Sequence, residues 1–150
     1  MIQSPRRLGF EVAFTSGPEA VRGALAKVLT ELEPLALAPD TRGTIEIVLA
    51  EALNNIVEHA YPETDPAGQV SIVCTEDGPD LHFRLVDHGR PMPDEQLPPG
   101  LPADVGVDLG DLPEGGFGWH LIRNLTSDIS YRRKGDTNVL DLRLPVLHTA

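Results

Sequence analysis

A chain of 150 residues with 41% hydrophobic and 23% charged residues has enough apolar material for one domain with a sizeable core, which excludes a charge-dominated disordered polymer. Its formal net charge of -11 excludes a general affinity for nucleic acid or anionic lipid, since neutralising phosphates takes a basic surface, and suits a basic protein partner better. No apolar run approaches the roughly 20 residues that span a bilayer, and the opening MIQSPRRLGF has no apolar stretch behind its arginines, so a cytoplasmic protein is expected, with neither membrane nor direct nucleic acid as partner.

The elements follow in order. LGFEVAFTS alternates apolar and polar side chains, as a half-buried strand does. SGPEAVRGALAKVLTELEPL predicts a helix that Ser16 or Gly17 caps, with Pro18 in the first turn, Val21, Leu25, Val28, Leu29 and Leu32 at helical spacing, and an end near Pro34. A second helix is expected from a cap at Asp40 or Thr41 to about Ala60, with Ile45, Val48, Leu49, Ala52, Leu53, Ile56 and Ala60 as its core stripe and Pro62 as a stop. QVSIVCTE and DLHFRLVD read as a hairpin around the turn-forming DGPD. The single cysteine, Cys74, excludes an internal disulfide and reads as a buried, inert thiol in the first of these strands.

From Gly89 to Gly118 the chain is crowded with proline and glycine, too much so for a regular element, and a loop this long in a compact domain is usually functional or mobile. WHLIRNLTS restores helical spacing, and DISYRRK and NVLDLRLPV finish as strands around KGDTN. Strand, two helices, two strands, long loop, helix and two strands predict an α+β two-layer sandwich, with a mixed, mainly antiparallel sheet and helices on one face. No internal repeat interrupts this order.

Within EALNNIVEHAY, Glu51, Asn55 and His59 stand four residues apart. Each step turns a helix by about 400°, so the three climb one slowly rotating ridge that borders the core stripe. Alone they describe a polar helix face. Asp87, at the end of an apolar strand and before Gly89, can start a turn or, if buried, accept a hydrogen bond from an amino group on a flat heterocycle. EGGFGWHLI places three glycines at the start of a helix, where backbone N–H groups can approach an anion, or where the chain can simply hinge. Together the three stretches point to an ATP site. An Asn amide oxygen can ligate Mg²⁺, a glycine turn can hold phosphates, an aspartate can read the base, and a glutamate one turn before the Asn can serve as general base.

In that order, EALNNIVEHAY, LVDHG and EGGFGWHLIRNLTSDISYRR closely resemble the small anti-sigma-factor serine/threonine protein kinases, across roughly residues 8 to 145. These belong to the GHKL superfamily of ATPases with the Bergerat fold, which includes histidine kinase ATP domains, gyrase and the mismatch-repair ATPases. The resemblance implies that Asn55 holds Mg²⁺ against the ATP phosphates, that Glu51 activates the attacking hydroxyl, and that Asp87 binds the adenine amino group with Gly89 allowing close approach. It further implies that Gly115, Gly116 and Gly118 form the second glycine box, that His59 lies near the phosphates, and that residues 90–114 form the ATP lid of a single domain spanning 1–150. Two departures stand out: Pro91 occupies a place where many relatives carry a second glycine, and the lid stretch DEQLPPGLPADVGVDLGDLPEGG offers no Arg or Lys, leaving Arg90 and Arg123 as the nearest cations.

The implied activity is phosphorylation of a STAS-type anti-anti-sigma factor on Ser or Thr, joined to sequestration of a sigma factor. Such proteins commonly pair as homodimers through the sheet side, which this sequence neither supports nor opposes. A nucleotide-binding module that sequesters a partner and transfers nothing is the alternative, and Glu51 is the feature that favours the kinase. His82, His88, His120 and His148 show no metal-ligand spacing with an acid or cysteine, so no structural zinc is expected.

Overall fold

The computed structural model of the chain describes residues 9–17, 19–93, 96–97 and 116–146. Five strands, β1 (Gly9–Thr15), β2 (Gln69–Asp77), β3 (Asp80–Asp87), β4 (Asp128–Lys134) and β5 (Thr137–Pro145), form one sheet in the order β1-β2-β3-β5-β4, every neighbouring pair antiparallel. Helices α1 (Ala20–Leu32), α2 (Pro39–Ala60) and α3 (Gly116–Leu125) bury their apolar stripes in a single core against one sheet face. That face is read off the strand alternation: Val12 from β1, Val70, Ile72 and Cys74 from β2, Leu81, Phe83 and Leu85 from β3, and Leu140, Leu142 and Leu144 from β5 are all buried. The expected α+β sandwich with helices on one side is what forms. The opposite face carries polar partners, among them Asp141, whose Oδ1 meets His82 Nε2 at 2.7 Å and Arg84 Nε at 2.8 Å.

Element boundaries differ from expectation where a polar group was needed elsewhere. Ser16 does not cap α1: its N–H donates to the Gly68 carbonyl at 2.8 Å and its Oγ accepts the Gly68 N–H at 3.0 Å, closing the end of the β1/β2 pair. The helix instead starts at Ala20 behind Glu19, with no side-chain cap bond, and runs into a short 3-10 turn over Glu33–Leu35. Helix α2 begins before the predicted cap residues. Ala38 stands at its N-cap and Pro39 in its first turn, where the missing N–H costs nothing, so Asp40 and Thr41 lie inside the helix. Its core stripe is buried as expected, and Asn55 is buried with it. Helix α3 starts at Gly116 rather than at Trp119, which is itself packed in the core and 2% exposed.

The path from β3 passes through α3 to the sheet edge at β4 and returns by a tight hairpin to β5, which slots between β4 and β3. Gly135 makes that hairpin possible with φ of 58°, a left-handed angle that side-chain-bearing residues resist. Cys74 is fully buried, and burial pushes its thiol up to about 12, so it is an inert packing residue as expected.

Candidate functional site

Helix α2 supplies the first wall. Along its ridge Glu51 is half-buried, Asn55 is 6% exposed and His59 is exposed near the last turn. Asn55 was expected to border the core, whereas it is enclosed by it, and a buried amide must be satisfied. Its Nδ2 donates to the Glu51 carbonyl one turn back at 2.7 Å. That commits the amide nitrogen to the helix and leaves Oδ1 as an acceptor with no donor among the described residues.

The second wall is the turn after β3. Asp87 is the last residue of that strand on the helix-facing side and is 3% exposed. Its Oδ1 accepts the Gly89 N–H at 2.9 Å and the Asn138 Nδ2 at 2.7 Å, so one carboxylate oxygen fixes the turn while Oδ2 has no partner among the described residues. Burial pushes the carboxyl above the ordinary carboxylate range, and the Asn138 and Gly89 donors, with the charge of Arg133 and the nearby His88, oppose that rise. Gly89 sits hard against the end of α2: a Cβ there would lie 2.2 Å from the Ala60 carbonyl oxygen, a backbone atom that cannot swing aside. The Arg90 N–H donates to that same carbonyl at 2.9 Å, satisfying an orphan group of the helix terminus.

Sequence reasoning missed the residues that hold this turn. Asn138 stands directly across from Asp87 in the β3/β5 register, and besides Asp87 its Nδ2 reaches the Arg90 carbonyl at 2.9 Å. Its Oδ1 accepts Tyr131 Oη–H at 2.6 Å and Arg133 Nη1–H at 3.1 Å. Arg133 Nη1 also donates to the Gly89 carbonyl at 2.6 Å, and Tyr131 Oη accepts the Met92 N–H at 3.0 Å. Tyr61, just past α2, accepts the His88 N–H at 2.8 Å and donates to the Gln69 carbonyl at 2.9 Å. A signal was present in the alternation of DISYRRK, which puts Ile129, Tyr131 and Arg133 together on the half-buried side.

Of the remaining candidates, Gly116 and Gly118 lie in the first turn of α3, and Gly115 and most of the expected lid lie outside the described residues. Arg90 is engaged with Asp65 by two bonds of 2.6 Å on the exposed surface, and Arg123 is exposed on α3.

The rise of α2 sets how far apart these groups stand. At 1.5 Å per residue, Asn55 lies about 7.5 Å along the helix axis from Ala60, where the Asp87 turn docks, and Glu51 lies about 6 Å further. The Asp87 carboxylate, the Asn55 amide oxygen and the Glu51 carboxylate thus follow one another along one helix, an order that a base, a metal-bound phosphate chain and a reacting group would require. The chemistry of the groups is compatible with Mg-nucleotide: a carboxylate oxygen that has no partner among the described residues suits an amino group, and an amide oxygen that has none there suits a hard cation.

Residues 14–144 match the family described as the histidine kinase-like ATPase domain. The chain is 31% identical over 107 residues to the serine-protein kinase RsbW of Bacillus mycoides, a match covering 71% of this chain and 66% of that protein, just under two thirds of its length. It is 31% identical over 102 residues to the serine/threonine-protein kinase BtrW of Bordetella bronchiseptica, covering 67% of this chain and 68% of that one. Among solved structures, the RsbU and RsbW domains of Rv1364c from Mycobacterium tuberculosis match in fold with a TM-score of 0.65 at 15% identity, over 95% of this chain and 33% of that one. The histidine kinase domain of the blue-light activated kinase EL346 from Erythrobacter litoralis matches with a TM-score of 0.53 at 16% identity, over 84% of this chain and 61% of that one. The chain belongs to the histidine kinase-like ATPase family, on the serine-protein kinase branch that its sequence motifs resemble.

Proposed function

We propose that this protein is an ATP- and Mg²⁺-dependent serine/threonine protein kinase that sequesters a sigma factor and phosphorylates a STAS-type anti-anti-sigma factor, exchanging one partner for the other. The observation that carries the reading is the pairing on α2. The Asn55 amide nitrogen is tied to the Glu51 carbonyl, so the oxygen it has left stands one turn from the Glu51 side chain. A metal ligand and a general base in that register serve phosphoryl transfer, whereas a module that only holds nucleotide has no use for the base. The kinase names of the relatives and the charge of -11, which suits a basic partner surface, support the same reading.

Bound Mg²⁺ would neutralise phosphate charge at Asn55 Oδ1. Asp87 Oδ2 accepts the adenine amino proton, and Asp87 Oδ1 keeps the turn closed through Gly89 and Asn138. Glu51 takes the proton of the attacking hydroxyl. The glycines that open α3 let backbone N–H groups face the phosphates, and residues 90–114 act as the lid of a single domain.

Replacing Asp87 by Asn tests the base reader cleanly. The new amide keeps an oxygen for the Gly89 and Asn138 donors but turns the other group from acceptor into donor. ADP and ATP affinity should both fall by about ten- to a hundred-fold, the worth of a charge-assisted hydrogen bond in a closed pocket. Parental ADP affinity by calorimetry would reduce Asp87 to a turn residue. The test of the whole function is co-purification from the native cell with mass spectrometry of bound proteins and phosphopeptides, followed by transfer from labelled ATP. A protein that binds ATP and its partner but never transfers phosphate is a sequestering module.

A further inference from the structure

The β4–β5 hairpin carries a second layer of design behind Asp87. An Asn side chain can present either end of its amide, and the wrong end at position 138 would set an oxygen against the Asp87 carboxylate. Two donors decide the matter: Tyr131 Oη–H and Arg133 Nη1–H both point at Asn138 Oδ1, which turns Nδ2 toward Asp87. Arg133 does more than Tyr131. The same Nη1 grips the Gly89 carbonyl at 2.6 Å, and Nε is anchored on the Gly135 carbonyl at 2.9 Å, so the guanidinium spans the hairpin turn and the Asp87 turn at once. A planar fork with fixed donors can do this, and a lysine ammonium cannot do it with the same geometry.

We propose that Arg133, on an edge strand, is a positioning residue for base recognition: it locks the Asn138 amide and the Gly89 carbonyl so that Asp87 commits one oxygen to the turn and keeps the other without a partner among the described residues, and it faces that carboxylate with a positive charge. The inference rests on the nucleotide reading above and deepens it. The groups bearing on the Asp87 carboxylate among the described residues are Arg133 from β4, His88 in its own turn and Tyr61 beyond α2, with the neutral Asn138 amide from β5. Arg133 is the permanent cation of that set.

The sign of the effect follows. Burial already raises the Asp87 carboxyl, and Arg133 works against that rise, so removing its charge moves protonation of Asp87 to higher pH. Since the carboxylate is the acceptor for the amino group, ADP affinity falls as pH drops through that protonation. The acid limb of the affinity profile should therefore shift upward in the variant. Titration of the ADP phosphates is common to both proteins and cancels in the comparison.

The experiment is calorimetric binding of ADP to the full chain and to Arg133→Met and Arg133→Lys, from neutral pH down through the carboxylate range, with circular dichroism to verify folding. Arg133→Met should lose about tenfold in affinity at neutral pH, the scale of one hydrogen bond to a charged group, and its acid limb should move to higher pH. Arg133→Lys, which keeps the charge without the fork, should restore the acid limb while leaving part of the affinity loss. Parental affinity and profile in folded Arg133→Met would overturn the proposal. So would an affinity loss with an unmoved acid limb, which would make Arg133 a hairpin brace only. If the parent binds ADP and Asp87→Asn does not weaken it, the base reading fails instead. A parent that binds no ADP removes the nucleotide reading and this inference with it.

Discussion

Phosphoryl transfer to the partner should fall by about 10²- to 10⁴-fold in Glu51→Gln, with ADP and Mg-ATP affinity at the parental level. A general base contributes in the transition state and little to ground-state binding, so rate and affinity separate. The substitution is structurally mild. Glu51 is half-buried, the helix bond that orients Asn55 runs to its backbone carbonyl rather than to its side chain, and glutamine matches glutamate in size and helix propensity. Labelled ATP, purified partner and equal amounts of each protein suffice for the measurement. A variant that transfers at the parental rate would remove Glu51 from the chemistry. Lost binding of Mg-ATP would recast it as a ligand-holding residue.

Asn55→Ala should abolish the Mg²⁺-dependent part of ATP affinity while the protein stays folded. The truncation removes the Oδ1 that has no donor among the described residues, and it also deletes the bond from the buried amide to the Glu51 carbonyl. That bond is worth about 1 kcal/mol, and losing its donor strands no buried partner, since the Glu51 carbonyl keeps its place in the helix ladder. A lowered Tm with retained cooperative unfolding is the expected stability result. Calorimetry with and without Mg²⁺ reads the site: unchanged metal-dependent affinity in a folded variant would move the cation elsewhere.

How much of this was legible in the sequence depended on how far apart the cooperating residues lie. Alternation in QVSIVCTE and DLHFRLVD and the stripe from Ile45 to Ala60 placed the sheet and core face correctly, because those signals are local and the burial they predict is collective. Helix starts were misplaced by a few residues. Ser16 was drawn into closing β1 onto Gly68, and the chain spent Pro39 where a side-chain cap was expected. Glu51, Asn55, Asp87 and the glycines were singled out by helical spacing, a strand end and glycine clustering, and the resemblance then implied roles for them, but neither carries hydrogen-bond partners. Asn138 and Arg133 escaped because their meaning depends on register. Nothing near position 138 announces that it faces Asp87, 51 residues earlier, and an arginine in YRRK reads as a solvated charge until the strand's inward side is known.

The strand order has one further consequence. Because β5 enters between β3 and β4, the partner of Asp87 comes from the last strand of the chain, so the Asp87 turn is complete only when that strand is seated. Closing so long a loop is slow and is repaid only once the non-local contacts form. On the proposed reading, nucleotide selects chains whose carboxy-terminal hairpin is in place, stabilising them by mass action. Amide exchange in β4 would then slow on adding ADP, although no atom of that strand is assigned to touch it. The nucleotide would act as a clamp on the folded state, reporting the integrity of a hairpin that it does not touch.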